Sequence, residues 1–378
     1  MRATWSVRLG IPVVLSCLAA GPVFASEFPH TTDTLTEARY SLTATALGDR
    51  AFFAGGRLTG TDIRSNVVDI FDAATGLWST HTLSQRRSGP VSTTAGSKVI
   101  FAGGRDSSGL ASNVVDIYDA DTGQWSTDTL SEARHGLSAC TVGNKAIFAG
   151  GWDGTTPSNT VDIYDADTGL WSTDTLTQAR YRLAATTVGS KAMFAGGQGP
   201  PVRSDVVDIY DADTGLWSTQ TLSVGRSHLS ATSAGNKAIF AGGYDGNNYS
   251  NVVDIYDADT GLWSADTLST ARYFLSATGV GNFALFAGGA DSTDYSDVVD
   301  IYDADTGQWS TDTLSQGRYW LCGTTVGDKA IFGGGFYRDV EGTGYDSNVV
   351  DIYTIPDPAT LALLAAGAAG VMLKRQRR

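Results

Sequence analysis

A unit of about 46 residues recurs seven times along this chain, and a period of that length leaves few architectures open. Diglycines stand at Gly55-Gly56, Gly103-Gly104, Gly150-Gly151, Gly196-Gly197, Gly242-Gly243, Gly288-Gly289 and Gly334-Gly335, and tryptophans follow six of them at Trp78, Trp125, Trp171, Trp217, Trp263 and Trp309. Each unit opens on an arginine (Arg39, Arg87, Arg134, Arg180, Arg226, Arg272, Arg318). A small-residue stretch, an apolar run ending in the diglycine, a V-D-I-Y phrase, a D-A-D-T-G turn and the tryptophan then follow. In the unit from Arg134 to Leu176, Leu137–Val142, Lys145–Ala149, Thr160–Tyr164 and Gly169–Leu176 read as strands separated by turn residues. Four strands per repeat make one propeller blade. The first is rich in Ala, Ser, Thr and Gly, which suits the crowded axis where seven blades meet.

The ends of the array are out of phase. Thr32–Leu35 repeats the outer-strand phrase of Thr127–Leu130 with no blade before it, and the last unit stops after Val349–Tyr353 without an outer strand. The two half-blades complete each other, so the sequence predicts an all-β, seven-bladed propeller over residues 26–354 whose last blade is closed by the N-terminal strand, leaving no open sheet edge in the ring.

The diglycine closing the second strand, the Y-D pair of the third, the tryptophan about seven residues on and the unit arginine together resemble the kelch family over roughly residues 28–353. The G-H signature of WD40 repeats is absent, and an Asp-box motif of sialidase type would set its aromatic one residue later than Trp125 stands after Asp121 and Gly123. The resemblance implies a kelch-type propeller in which the positions after each diglycine and after each blade arginine look toward the mouth of the central channel.

Both termini carry export features. Arg2 and Arg8 precede an apolar stretch, Leu9–Ala20, and Val23-Phe24-Ala25 forms a small-x-small cleavage site, so residues 1–25 read as a signal peptide; lipidation at Cys17 is the rival. In residues 355–378, Pro356-Asp357-Pro358 leads into an apolar stretch from Ala359 to Leu373, read as a helix, and then a basic cluster ending at Arg378. That arrangement resembles the PEP-CTERM sorting signals of Gram-negative bacteria, which implies an exosortase as partner and transient membrane insertion. At about fifteen residues the stretch is short of the ~20 that a stable span needs; an unprocessed anchor is the alternative.

Acidic residues outnumber basic ones 40 to 26, and the net charge is −14. Since Arg2, Arg8, Lys374, Arg375, Arg377 and Arg378 all lie in the end segments, the propeller is more acidic still, which excludes nucleic acid and anionic lipid as partners. Cys140 and Cys322 fall on inner strands of distant units, too far apart for a disulfide.

Most of the candidate chemistry repeats in every unit, as a scaffold does. Arg134 with Asp162, and their six counterparts, read as a blade-holding pair; Gly150, Gly151, Tyr164 and Trp171 are further structural positions. The D-A-D-T-G turns lack the long loop and distal Glu of a calcium site, so no metal or cofactor is expected. The positions that vary are Arg57, Arg105, Trp152, Gln198, Tyr244 and Phe336 near the diglycines, and Tyr40, His135, Tyr181, Arg182, His228, Tyr273, Tyr319 and Trp320 after the arginines. A rim of such residues suits stacking on sugars or anchoring a peptide, though the same aromatics could pack between blades.

Three functions remain open. The first is a non-catalytic binding module, exported to the surface or extracellular matrix of a Gram-negative bacterium, that holds exopolysaccharide or an extracellular protein. The second is an enzyme resembling the kelch-type sialic-acid mutarotases, using Arg57, Arg105, His135, Arg182 and His228; the copper radical oxidases are excluded, because no tyrosine-cysteine pair or adjacent histidines are present. The third is a structural surface protein whose rim is filled by its own insertion, Phe336–Asn348.

Overall fold

In six of the seven blades the strand-forming stretches pair with their sequence neighbours. The computed structural model describes residues 28–355, apart from 61–62, 201 and 292–293, and shows seven four-stranded antiparallel sheets and one two-stranded hairpin. In the third blade the strands are Ser138–Val142, Lys145–Ala149, Thr160–Asp165 and Leu170–Thr175, paired in that order. The first strand of each blade lies against the first strand of the next, and that of the seventh against that of the first, so the ring is closed. The signal peptide, Pro356, Asp357, Pro358 and the expected C-terminal helix lie outside the described residues. Among the described residues no helix is long and apolar enough to cross a membrane.

The seventh blade is a composite. The N-terminal strand His30–Thr34 pairs antiparallel with Val349–Thr354, setting Thr32 opposite Asp351. His30 takes the place of the missing tryptophan: it sits opposite Tyr353 as Trp171 sits opposite Tyr164, its ring stacks on Tyr353 at 4.4 Å, and its Nε2 donates to Asp351 Oδ1 at 2.7 Å. Thr354 N donates to the Pro29 carbonyl at 2.9 Å, so both ends of the described chain leave the ring side by side.

Each second strand is buried on both faces, and the apolar clusters lie between blades. Val142 and Ile147 of the third blade pack with Ala192, Phe194 and Tyr210 of the fourth. The diglycines mark where consecutive blades touch. Gly151 N donates to the Arg180 carbonyl at 2.9 Å, and a Cβ on Gly150 would stand 2.5 Å from that same backbone oxygen, so no larger residue fits there. Gly335 repeats the contact onto the Arg39 carbonyl at 2.9 Å and thereby joins the seventh blade to the first.

The tryptophans are latches between blades. Trp171 Nε1 donates to Asp128 Oδ2 of the preceding outer strand at 2.8 Å, Trp217 to Asp174 at 2.8 Å, Trp309 to Asp266 at 2.9 Å, and Trp78 to Asp33 of the N-terminal strand at 2.7 Å. Trp125 stacks on His81 instead, at 4.4 Å. Between the fourth and fifth blades the latch is open, because Gln220 stands where the bonded latches carry aspartate and Trp263 Nε1 is buried without a partner. Gln220→Asp supplies the acceptor and should raise stability by about 1 kcal/mol, read as a higher denaturant midpoint at unchanged m-value; an unchanged midpoint would refute the latch.

Candidate functional site

Every blade arginine has no exposed surface and is charge-paired. Arg134 Nη1 donates to the carbonyls of Gly150 at 2.7 Å and Thr160 at 2.6 Å, its Nη2 bonds Asp162, and Asp162 also accepts from Ser131 N at 2.9 Å. Rather than opening the first strand, the arginine lies in the crossover four residues before it and ties together three segments of its blade. Burial lowers the Arg134 pKa against the raising effect of Asp162. The same geometry recurs at Arg39–Asp69, Arg87–Asp116, Arg180–Asp208, Arg226–Asp254, Arg272–Asp300 and Arg318–Asp351, which makes it scaffold chemistry.

The face carrying the crossovers and the second-to-third-strand loops gathers the variable residues. In every blade the residue after the arginine bridges the position that follows the diglycine: Tyr40 to Arg57, Ser88 to Arg105, His135 to Trp152, Tyr181 to Gln198, Ser227 to Tyr244, Tyr273 to Ala290 and Tyr319 to Phe336. A third chain segment joins this layer, and the sequence reading missed it. Arg64, Arg203, Tyr249 and Tyr295, returning from the loop, bridge Arg57, Gln198, Tyr244 and Ala290. Their signal was present as aromatic or basic residues six to eight positions after the diglycine, but the loop lengths vary and hid the register.

At the axis a second ring appears. Ser41, Gly89, Gly136, Arg182, His228, Phe274 and Trp320, each second after its blade arginine, all have φ between 53° and 65°. Six of the seven junctions between them are closed head to tail by backbone hydrogen bonds of 2.7–3.3 Å, such as Ser41 N to the Trp320 carbonyl and His228 N to the Arg182 carbonyl. Left-handed backbone costs a non-glycine residue about 1 kcal/mol or more, yet four bulky side chains are held in it on consecutive blades. They touch: His228 meets Phe274 at 4.2 Å, Phe274 meets Trp320 at 4.8 Å, and the Arg182 guanidinium lies 6.0 Å from the Phe274 ring. A crescent of large residues therefore faces an open sector at Ser41, Gly89 and Gly136.

The basic groups gather on one side of this mouth. Arg105 Nη2 donates to His135 Nε2 at 2.9 Å, Arg182 lies over Tyr181 at 5.4 Å and Arg203 over Tyr244 at 5.4 Å. Their fields are felt locally. Burial, then Arg105 and Arg182, lower the His135 pKa to about 4, and burial, then Arg182 and Arg203, lower that of His228 to about 3. Both imidazoles are thus neutral near pH 7, and the guanidinium groups supply the positive charge.

The aromatic residues form two stacks. One runs Tyr295, Tyr319, Trp320, Tyr40, with ring centroids 4.4, 4.5 and 5.3 Å apart, and Phe336 meets it edge-on; the other pairs Tyr249 with Tyr273 at 4.7 Å and continues to Phe274. Trp152 keeps apart, tilted on Tyr181 at 5.1 Å. Packing between blades and presentation at the rim thus coexist, since these rings bridge neighbouring blades while remaining partly exposed. The insertion folds as a hairpin, Phe336–Arg338 with Gly344–Asp346, which bonds Thr59 N of the first blade through Asp346 at 2.5 Å and lays Arg338 over Tyr295 at 4.8 Å. These contacts run along the rim.

Cys140 and Cys322 are free and buried, and no cluster of three or more metal-ligating residues is found among the described residues. The family model of the KLHDC2/KLHL20/DRC7 Kelch-repeats domain matches residues 41–223, and the Kelch motif model matches residues 225–265. No curated protein matches the chain.

Proposed function

We propose, from the premise that this chain belongs to the kelch-repeat β-propellers, that it is a non-catalytic binding module whose axial mouth captures a carboxylate-bearing segment of an extracellular protein or exopolysaccharide. The observation that carries the reading is the convergence of Arg105, Arg182 and Arg203 with two neutral histidines in a protein of net charge −14. Burial lowers the pKa of Arg182, and the nearby Arg105 and Arg203 reinforce that shift; gathering like charges in a partly desolvated mouth is unfavourable until an anion arrives. The open sector over Ser41, Gly89 and Gly136 gives such a group access.

Chain geometry supports surface display. Pro29 and Ile355 leave the ring on the face of the first-to-second and third-to-fourth turns, opposite the mouth. Held by a sorting segment at residues 355–378, processed by an exosortase or left as an anchor, the propeller would turn its mouth away from the membrane. Export through residues 1–25 completes this reading.

Titration calorimetry with glutarate and with a glutamate-rich peptide tests the mouth. Arg182→Ala should weaken binding at least tenfold, about 1.4 kcal/mol, and the wild-type affinity should stay flat between about pH 5.5 and 8, because guanidinium groups carry the charge. No binding of either probe, or binding indifferent to Arg182→Ala, would refute this function.

A further inference from the structure

Each blade ends on an outer strand with a free edge, and six of the seven outer strands carry an ionisable residue near the end: Asp33, Asp128, Asp174, Asp266 and Asp312, with His81 in the first blade. The aspartate does more than charge the edge. Its Oδ1 accepts the N–H of the threonine that follows, Asp174 from Thr175 at 2.7 Å and Asp128 from Thr129 at 2.8 Å, so one outward donor of the strand is already occupied. The same bond caps Thr34, Thr267 and Thr313. The outer strand of the fourth blade, Leu216–Thr221, reads L-W-S-T-Q-T and holds no ionisable side chain. With Gln220 in the aspartate position, the Thr221 N–H has no carboxylate to cap it and the Trp263 latch is lost. The change extends past the strand. Exposed Val224 follows in the crossover, where the other units carry Glu, Gln or Thr, and a groove of about 390 Å³ lined by Thr177, Val206, Thr219, Gln220 and Thr221 flanks the second half of the strand.

We propose that this strand is a docking edge through which two copies of the chain pair, antiparallel, into a dimer. A free edge is a template for another strand, and charge placed on it keeps copies apart. In a protein of net charge −14, the outer strand of the fourth blade is the one without that guard. Its register follows from the blade. Leu222 N donates inward to the Asp205 carbonyl at 2.7 Å, and inward and outward groups alternate along a strand, so Ser218 and Gln220 bond toward Val206–Asp211 while Trp217, Thr219 and Thr221 turn N–H and C=O outward. Two such edges meet with Thr219 opposite Thr219 and Trp217 opposite Thr221, each bonding through both backbone groups, and with Ser218 opposite Gln220 between them. No like charges face each other in that register. The equivalent pairing of Leu170–Thr175 would bring two Asp174 carboxylates together on a diagonal, with both Thr175 N–H groups already taken. Because an antiparallel strand runs the opposite way, and strand direction is fixed relative to the mouth, the two rings open in opposite directions. The dimer is thus a bivalent form of the binding module, and its formation does not depend on what either mouth binds.

Sedimentation velocity on the full-length protein at micromolar concentrations tests the edge. The wild type should show a concentration-dependent dimer. Thr219→Asp and Thr219→Lys, each of which sets like charges directly opposite each other, should weaken dimerisation at least tenfold, and an equimolar mixture of the two should restore it as a one-to-one pair. Thr219 is exposed, so both variants should melt like the wild type. Gln220→Asp, expected to be more stable than the wild type through its restored latch, should also dimerise more weakly, which separates loss of pairing from loss of fold. A wild type that stays monomeric across the concentration range overturns the proposal. So does a dimer unchanged in Thr219→Asp, which would place self-association elsewhere in the chain, and so does a mixture of the two Thr219 variants that stays monomeric.

Discussion

A chain that begins at Glu37, lacking the N-terminal strand, should lose about 5 kcal/mol or more of stability and gain a tendency to self-associate. The strand contributes a five-residue ladder to Val349–Thr354, the stack of His30 on Tyr353, the His30–Asp351 bond and the Trp78–Asp33 latch to the first blade. Leu35, only 2% exposed, packs with Leu42, Phe53, Val350 and Ile352 across the junction of the seventh and first blades, and burying a leucine is worth about 1.5–3 kcal/mol by itself. Removal also bares the edge of the last strand, whose unpaired backbone is a template for another chain. Chemical denaturation with size-exclusion chromatography reads both effects. A truncated ring that unfolds at the wild-type midpoint and elutes as the wild type would show that closure is not held by this strand.

The second large effect is expected inside a blade. Asp162→Asn leaves the Arg134 guanidinium, with no exposed surface, facing a neutral amide, and breaking one partner of a buried ion pair costs about 3–5 kcal/mol. The Asp162 carboxylate also receives the Ser131 N–H at 2.9 Å, so the crossover into the blade loosens with it. A double-mutant cycle with Arg134→Met should return a coupling of at least about 2 kcal/mol, because the uncompensated charge disappears when the arginine goes. Asp254→Asn in the fifth blade should repeat the loss, its pairing with Arg226 being the same. A cost below about 1 kcal/mol at both positions would mean that the pairs do not hold the blades.

Repetition made the scaffold legible. Seven copies of one phrase show its strands, its turns and its arginine-aspartate pair without any coordinates, and the phase mismatch of the two ends announces the closing strand. Some scaffold features stayed hidden because each copy meets its neighbour only in space. The aspartate of one outer strand, Asp128, binds the indole of the next blade, Trp171, 43 residues away, and no spacing within a single unit reveals that partnership. Likewise the backbone oxygen of Arg180 is what forbids a side chain on Gly150, so the diglycine reads as punctuation in sequence and as an inter-blade contact in space.

The site divides along the same line. Which residues vary, and that they gather on one face, followed from the sequence, because a constant scaffold exposes its exceptions. The sequence by itself determined the ring, its blade number, its closure and the pool of rim residues, since each of these depends on local pattern repeated at a fixed period. Only the tertiary structure decided which of those residues meet: that Arg182, His228, Phe274 and Trp320 sit in left-handed backbone round the axis, and that Arg105 reaches His135. Those contacts join residues from different blades, and their distances are set by the rotation from one blade to the next, a quantity that the arrangement of residues within a single repeat does not contain.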